Sequence, residues 1–129
     1  MNRNKLVPWV LVAEAVVCLL IWRSVKLARI TETIALEWCV TSFAASFVLV
    51  AFTKARRRMI LLGVVAAAIA ADIADIAYDV SLDPTSHNLF PFELAMTGVI
   101  SIAGAAVGIA IASAIRMKAG SGSNNSPSE

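Results

Sequence analysis

Charged residues are scarce in this chain of 129 residues, because Asp, Glu, Lys and Arg together make up only 16% of it. Soluble domains usually carry about 25% charged residues. Apolar residues make up 59% of the chain, and its mean hydropathy is +0.79. The composition therefore disfavours a water-soluble domain and predicts an integral membrane protein that has the lipid bilayer as its first partner.

Residues that bind redox cofactors and metals are also few. The chain has one histidine, His87, and two cysteines, Cys18 and Cys39. One histidine cannot supply a pair of haem ligands, and two separated cysteines form neither a CxxC motif nor a zinc ligand set. We therefore expect no cofactor and no enzymatic activity. The two cysteines fall at similar depth in adjacent apolar blocks, so a disulfide remains an alternative to two buried thiols.

Aromatic residues make up 7% of the chain and do not alternate with the basic residues. Since the net charge is only +2, nucleic acid is not expected as a partner. Trp9, Trp22 and Trp38 lie near the ends of apolar blocks, where tryptophan commonly anchors a helix at the membrane interface. We expect all three to be interfacial anchors.

Long apolar blocks dominate the rest of the sequence. They cover about residues 6–22, 34–52, 59–78 and 90–115, and each is long enough to cross a bilayer. None shows the two-residue alternation of a barrel strand, and lipid cannot satisfy open backbone groups, so each block should be an α-helix. The sequence predicts an all-α, four-transmembrane-helix bundle in residues 1–118. Residues 119–129, rich in Gly, Ser and Asn, are predicted to be a disordered tail.

The distribution of basic residues predicts the orientation of this bundle. Three basic residues flank one side of the four blocks, at Arg23, Lys26 and Arg29. Eight flank the other side, at Arg3, Lys5, Lys54, Arg56, Arg57, Arg58, Arg116 and Lys118. The positive-inside rule then places both termini in the cytoplasm, in a bacterial or archaeal inner membrane.

Carboxylates inside the apolar blocks are the most informative feature of the sequence. Five are present, at Glu14, Glu37, Asp72, Asp75 and Glu93. A charged group at mid-membrane costs on the order of 3 kcal/mol, so such residues usually have a partner, a wet cavity or a function. Glu14 falls at the centre of its block, and the other four fall nearer the outer boundary. The pattern predicts an outward-facing cluster that binds a proton or a cation; whether the cation is a metal ion stays open.

Helical spacing places small and polar residues on the same faces as these acids. The second block has Glu37, Thr41 and Ala45 in one row, and the fourth block has Glu93, Thr97 and Ser101 in another. We expect Thr41, Thr97 and Ser101 to support the carboxylates. Small residues allow close helix approach, so Gly63, Gly104 and Gly108 are predicted helix contacts.

Two functions fit these observations. The first is a small proton- or cation-coupled transporter or channel subunit that works as a homo-oligomer. The second is a non-transporting accessory or structural subunit of a larger membrane complex. In a purely structural role, the acids would form ion pairs with Arg23, Lys26 and Arg29 on the same side.

The position of Glu14 carries a partial resemblance to a known family. Four spans in a chain of this length, with one Glu in the first span within Val12-Ala13-Glu14-Ala15, resemble the small multidrug resistance transporters. The resemblance implies a dimer that couples protons to cationic substrates through Glu14. It covers the architecture and one residue, and the tryptophan that the family carries in its third helix has no counterpart in residues 59–78.

Overall fold

The chain folds as an all-α protein in the part that the structure describes. The structure, a computed structural model, describes residues 6–28, 34–85 and 90–121. Within these ranges it contains four helices and no strand, which confirms the predicted all-α class. The helices are α1 (Leu6–Ala28), α2 (Ile34–Phe52), α3 (Arg57–Leu82) and α4 (Phe90–Ser121).

Prolines mark three of the helix ends. Pro8 lies in the first turn of α1, and Pro91 is the second residue of α4. Proline is tolerated there because the first N–H groups of a helix have no partner within it. Pro84 disfavours the helical conformation at the preceding residue, Asp83. The backbone of Asp83 is extended, with φ −142° and ψ 103°. α3 therefore ends at Leu82.

Three helices continue beyond the predicted spans. α1 reaches Ala28, α3 begins at Arg57 and ends at Leu82, and α4 reaches Ser121. Hydropathy marks only the lipid-compatible part of a helix, whereas Arg, Lys and Met also favour helix and let the hydrogen-bond ladder continue. The first three residues of the predicted tail, 119–121, therefore belong to α4. Residues 122–129 lie outside the described residues.

Two of the helices are long and apolar enough to cross a membrane. They are α3 and the part of α4 that covers Phe90–Ala119. The apolar segments of α1 and α2, Leu6–Ile21 and Leu36–Phe52, are shorter. Length and composition thus establish two candidate spans.

The contact between α2 and α4 is the most extensive in the bundle. Gly104 lies against the Cys39 carbonyl, and Gly108 lies against the Phe43 carbonyl and the Ser46 hydroxyl. Because both contacts advance in the same sense along the two helices, α2 and α4 run in the same direction. Because glycine has no side chain, the backbones of the two helices can approach closely at these positions.

The other helices pack around this pair. α1 contacts α2 and α3, and α3 contacts α4. Gly63 of α3 lies beside the Leu11 side chain of α1. Leu49, Ile60 and Val64, each no more than 1% exposed, belong to the apolar core that joins α2 to α3.

The three tryptophans have different environments. Trp9 is 74% exposed, as an interfacial anchor would be. Trp38 is 5% exposed and packs in a core cluster with Cys18, Ala68 and Ala71, so the expectation that it is an anchor is wrong. Its ring fills space beside alanines of α3, where small side chains leave room. The Trp22 side chain lies outside the described residues.

Candidate functional site

Polar side chains are buried inside the bundle, while many large apolar side chains face outward. Glu14, Asp72 and Asp75 are each no more than 5% exposed, and Glu37 and Glu93 are half-buried. The predicted carboxylates therefore lie inside or at the edge of the helix interfaces. Four of the five, all but Glu93, occupy three different places, which are described in turn.

Glu14 lies between α1 and α2 at the base of an apolar groove. Both of its carboxylate oxygens are buried and make no hydrogen bond with the described residues. The Ser42 hydroxyl lies beside the carboxyl but does not reach hydrogen-bonding geometry. The groove is open on one side and has a volume of about 220 Å³. Its lining comprises Val10, Ala13, Glu14, Val17, Thr41, Ala44, Ala45 and Val48.

Asp72 lies at the contact between α3 and α4. The Thr97 hydroxyl donates a hydrogen bond of 2.7 Å to Asp72 Oδ2, and both side chains are buried. Asp75 lies one turn further along the same buried face of α3. The carboxylate that Thr97 contacts therefore belongs to the neighbouring helix, whereas the sequence pattern places Thr97 in one row with Glu93 of its own helix.

Glu37 lies beside a small cavity between α1 and α2 that is distinct from the Glu14 groove. Cys18, Ile21, Trp38 and Thr41 complete its lining. Thr41 donates to the backbone carbonyl of Glu37 at 2.8 Å and accepts a bond of 3.4 Å from the Cys18 thiol. Thr41 therefore links α1 to α2 and does not bind a carboxylate side chain. Cys18 and Cys39 are both free thiols, so the disulfide alternative is not realised.

The acids of the predicted cluster are spread over these separate places. In the described part of the chain, no three His, Cys, Asp or Glu side chains come together as a possible metal-ligand set. Ser101 is fully buried, but its hydroxyl makes no hydrogen bond with a described residue. The ion pairs expected in a purely structural role involve basic side chains that lie outside the described residues, those of Arg23, Lys26 and Arg29.

The inner face of α2 differs by one position from the predicted row. The side chains of this face that are no more than 5% exposed are Trp38, Ser42, Ser46, Leu49, Val50 and Thr53. Glu37 and Thr41 lie at its edge. The sequence analysis missed Ser42 beside Glu14, although Ser42 and Ser46 lie four residues apart in a mostly apolar helix and so share one face.

The opposite end of the bundle carries a basic site that the sequence analysis also missed. Arg116 of α4 donates from Nη1 to the carbonyls of Val50 and Thr53, at 2.7 Å and 3.1 Å. These bonds satisfy backbone groups where α2 ends. Ser113, one turn before Arg116, is 5% exposed, and its hydroxyl has no hydrogen-bond partner among the described residues.

The turn that follows α3 contains Asp83. Among the described carboxylates, it is the one that lies outside the helices. Asp83 Oδ1 accepts bonds from the Thr85 backbone N–H at 3.0 Å and from the Thr85 hydroxyl at 2.8 Å. These two donors lower the pKa of Asp83 below its usual value. Asp83 is therefore charged at neutral pH.

Among the described carboxylates, Glu14 has the surroundings least expected of a structural residue. It is buried, makes no hydrogen bond with a described residue and lines a groove. Comparison with other proteins adds no relative: no known protein family, no curated protein and no solved structure matches this chain, and the resemblance to small multidrug resistance transporters rests on architecture and Glu14 alone.

Proposed function

We propose that all four helices span a membrane. α1 has 23 residues and α2 has 19, which correspond to about 34 and 28 Å, close to the roughly 30 Å of hydrocarbon in a bilayer. The outward-facing residues support this placement, since Leu20, Leu36, Leu62 and Val99 are each more than 60% exposed. In water, a protein with so apolar a surface would aggregate, whereas lipid solvates such a surface.

The proposed orientation, with both termini in the cytoplasm of a prokaryotic cell, predicts which sites react with a membrane-impermeant thiol reagent. In intact cells, a cysteine at Thr85 should be labelled from outside, and a cysteine at Lys54 should be labelled only after permeabilisation. The wild type is the matched control, because Cys18 and Cys39 lie inside helices. If Lys54→Cys but not Thr85→Cys were labelled in intact cells, the orientation would be the reverse of the proposed one.

Within this topology, we propose that the protein is a small proton- or cation-coupled transporter or channel subunit, with Glu14 as the coupling group. The observation that carries the proposal is the buried Glu14 carboxyl, which makes no hydrogen bond with a described residue and lines the groove. A charged carboxylate in an apolar site is costly unless it is paired. The carboxyl therefore holds either a proton or a cation at one time, and this exclusion couples the two.

The remaining acids give this function a direction. Glu37, Asp75 and Glu93 lie nearer the proposed outer ends of their helices, and Asp72 lies one turn deeper than Asp75. We propose that these side chains attract cations and pass protons towards the bundle interior. Most of the residues that line the groove are apolar, so we propose that the cation is itself apolar and reaches Glu14 from the lipid.

Vesicles reconstituted with the full chain test this function. Vesicles loaded with tetrapropylammonium are diluted into buffer without it, and an enclosed dye reports the internal pH. Outflow of the cation through a coupled transporter draws protons inward, so the interior should become more acidic than in protein-free vesicles. A channel subunit should instead acidify the interior when potassium and valinomycin impose a negative internal potential. No effect of the protein in either experiment would exclude both forms of the proposal.

A second candidate is a non-transporting accessory or structural subunit of a larger membrane complex. It is favoured by the bond between Thr97 and Asp72, which gives one of the buried acids a purely structural contact. Purification in a mild detergent separates the candidates. A stoichiometric larger partner favours the accessory subunit, and a homo-oligomer favours the transporter.

A further inference from the structure

A pocket at the basic end of the bundle shares no lining residue with the Glu14 groove. It forms where α2 ends, α3 begins and the last turns of α4 pass, and its volume is about 210 Å³. Its lining consists of Val50, Ala55, Arg57, Ser113, Arg116 and Met117. Two arginines and one serine thus line a pocket that also has an apolar side.

Some polar groups of this pocket are held by hydrogen bonds within the protein, and others have no hydrogen-bond partner among the described residues. Arg116 is held by its two bonds from Nη1 to the end of α2, and its other N–H groups make no hydrogen bond with the described residues. The Ser113 hydroxyl is buried and has no partner there. A buried hydroxyl without a partner costs free energy, so a ligand that accepts its hydrogen bond is favoured.

The charge around the pocket selects the sign of that ligand. Residues 50–60 and 110–119, which form this end, contain no Asp or Glu. They contain six basic residues, Lys54, Arg56, Arg57, Arg58, Arg116 and Lys118. α3 begins at Arg57, and the preceding Arg56 gives no side-chain cap, so the positive end of the α3 dipole adds to this field.

We propose that this pocket binds a phosphate group, held by Arg57, Arg116 and Ser113. Guanidinium groups bind phosphate through paired N–H donors, and the hydroxyl supplies a further donor. If the helices span a membrane, the pocket lies at the level of the lipid headgroups. Val50, Ala55 and Met117 then offer an apolar path for an acyl chain, so the phosphate is that of an anionic lipid or of a free anion.

The test follows thermal unfolding of the full chain in an uncharged maltoside detergent. Dioctanoyl phosphatidylglycerol supplies an anionic phosphodiester, dioctanoyl phosphatidylcholine supplies the same group with a neutralising ammonium, and inorganic phosphate supplies the free anion. We expect phosphatidylglycerol to raise the melting temperature saturably and more than phosphatidylcholine. Saturable stabilisation by phosphatidylglycerol alone would identify an anionic lipid as the source of the phosphate. Stabilisation by inorganic phosphate alone would also support the site and would identify a free anion. No saturable stabilisation by either anion overturns the proposal.

Two variants and one matched control give this test its specificity. Arg57→Gln and Ser113→Ala should each weaken the apparent affinity about tenfold, as expected for one lost charge-assisted hydrogen bond. Arg58→Gln removes the same charge from the next residue, which does not line the pocket, and should retain the affinity. Equal weakening by Arg57→Gln and Arg58→Gln would mean diffuse charge attraction and would overturn the site. The outcome is independent of Glu14 and of transport.

Discussion

Replacement of Glu14 by Gln is expected to abolish cation-driven proton movement while leaving the protein folded. The amide has nearly the same shape as the carboxyl, so the groove between α1 and α2 keeps its form. It cannot release a proton or pair with a cation, so the exchange on which coupling depends is lost. The vesicle experiment should therefore give the internal pH of protein-free vesicles.

The structure also predicts that Glu14→Gln does not destabilise the bundle. Neither carboxylate oxygen makes a hydrogen bond with a described residue, so the substitution breaks no native contact. The melting temperature in detergent should match or exceed that of the wild type. Asp83→Asn is a suitable control, because it removes a carboxylate from an exposed turn and should leave transport intact. A Glu14→Gln protein that melts well below wild type would instead identify Glu14 as a structural partner.

Asp72→Asn separates the two classes of buried acid. Asp72 accepts the Thr97 hydroxyl at 2.7 Å, and an Asn side-chain oxygen can accept the same bond. If Asp72 only joins α3 to α4, this variant should retain both stability and transport. If it also passes protons, transport should fall while the melting temperature stays near that of the wild type.

The helices could be predicted from the sequence because hydrophobic length is a strong signal. Four apolar blocks predicted the order of α1 to α4, and the row of Thr97, Ser101, Gly104 and Gly108 is buried as its spacing indicated. In that row, polar and small residues repeat every three or four positions against an apolar background. Such a contrast marks one face of a helix.

The rotation of α2 could not be predicted in the same way. α2 is apolar on nearly every side, and its two serines compete with the row of Glu37 and Thr41, so its sequence does not select one inner face. Its rotation depends on the glycines of α4, which admit Cys39 and Phe43. This packing places Trp38 and Ser42 inside and moves Glu37 to the edge.

The carboxylates illustrate a second limit of sequence reasoning. Counting residues from a helix end gives the depth of a side chain, but depth is only one of three coordinates. Glu37 and Asp75 fall at similar predicted depth, yet one lines a cavity between α1 and α2 and the other lies on the buried face of α3. Whether two acids meet depends on helix rotation and on neighbours, which only packing determines.

Alanine substitutions at the glycines of α4 should have graded effects on stability. At Gly104, a Cβ would collide with the Cys39 carbonyl, and at Gly108 it would collide with the Phe43 carbonyl and the Ser46 hydroxyl. A backbone carbonyl inside a helix cannot move aside, so α2 and α4 must separate. Overpacking of this kind costs about 1–3 kcal/mol or more, which exceeds the gain of about 1 kcal/mol from replacing Gly by Ala in a helix.

Gly98 and Gly63 provide the matched controls for this series. A Cβ at Gly98 would lie 3.8 Å from Ile69 Cδ1, an ordinary contact, so Gly98→Ala should be neutral or stabilising. At Gly63 the nearest atom would be Leu11 Cδ1 at 3.1 Å, the end of a flexible side chain, so the effect should be small. Thermal unfolding in detergent should therefore rank Gly98→Ala highest, Gly63→Ala next, and Gly104→Ala and Gly108→Ala lowest. If all four variants melt together, α2 and α4 are not in close contact, and Ser42 is then not held beside Glu14 by this packing.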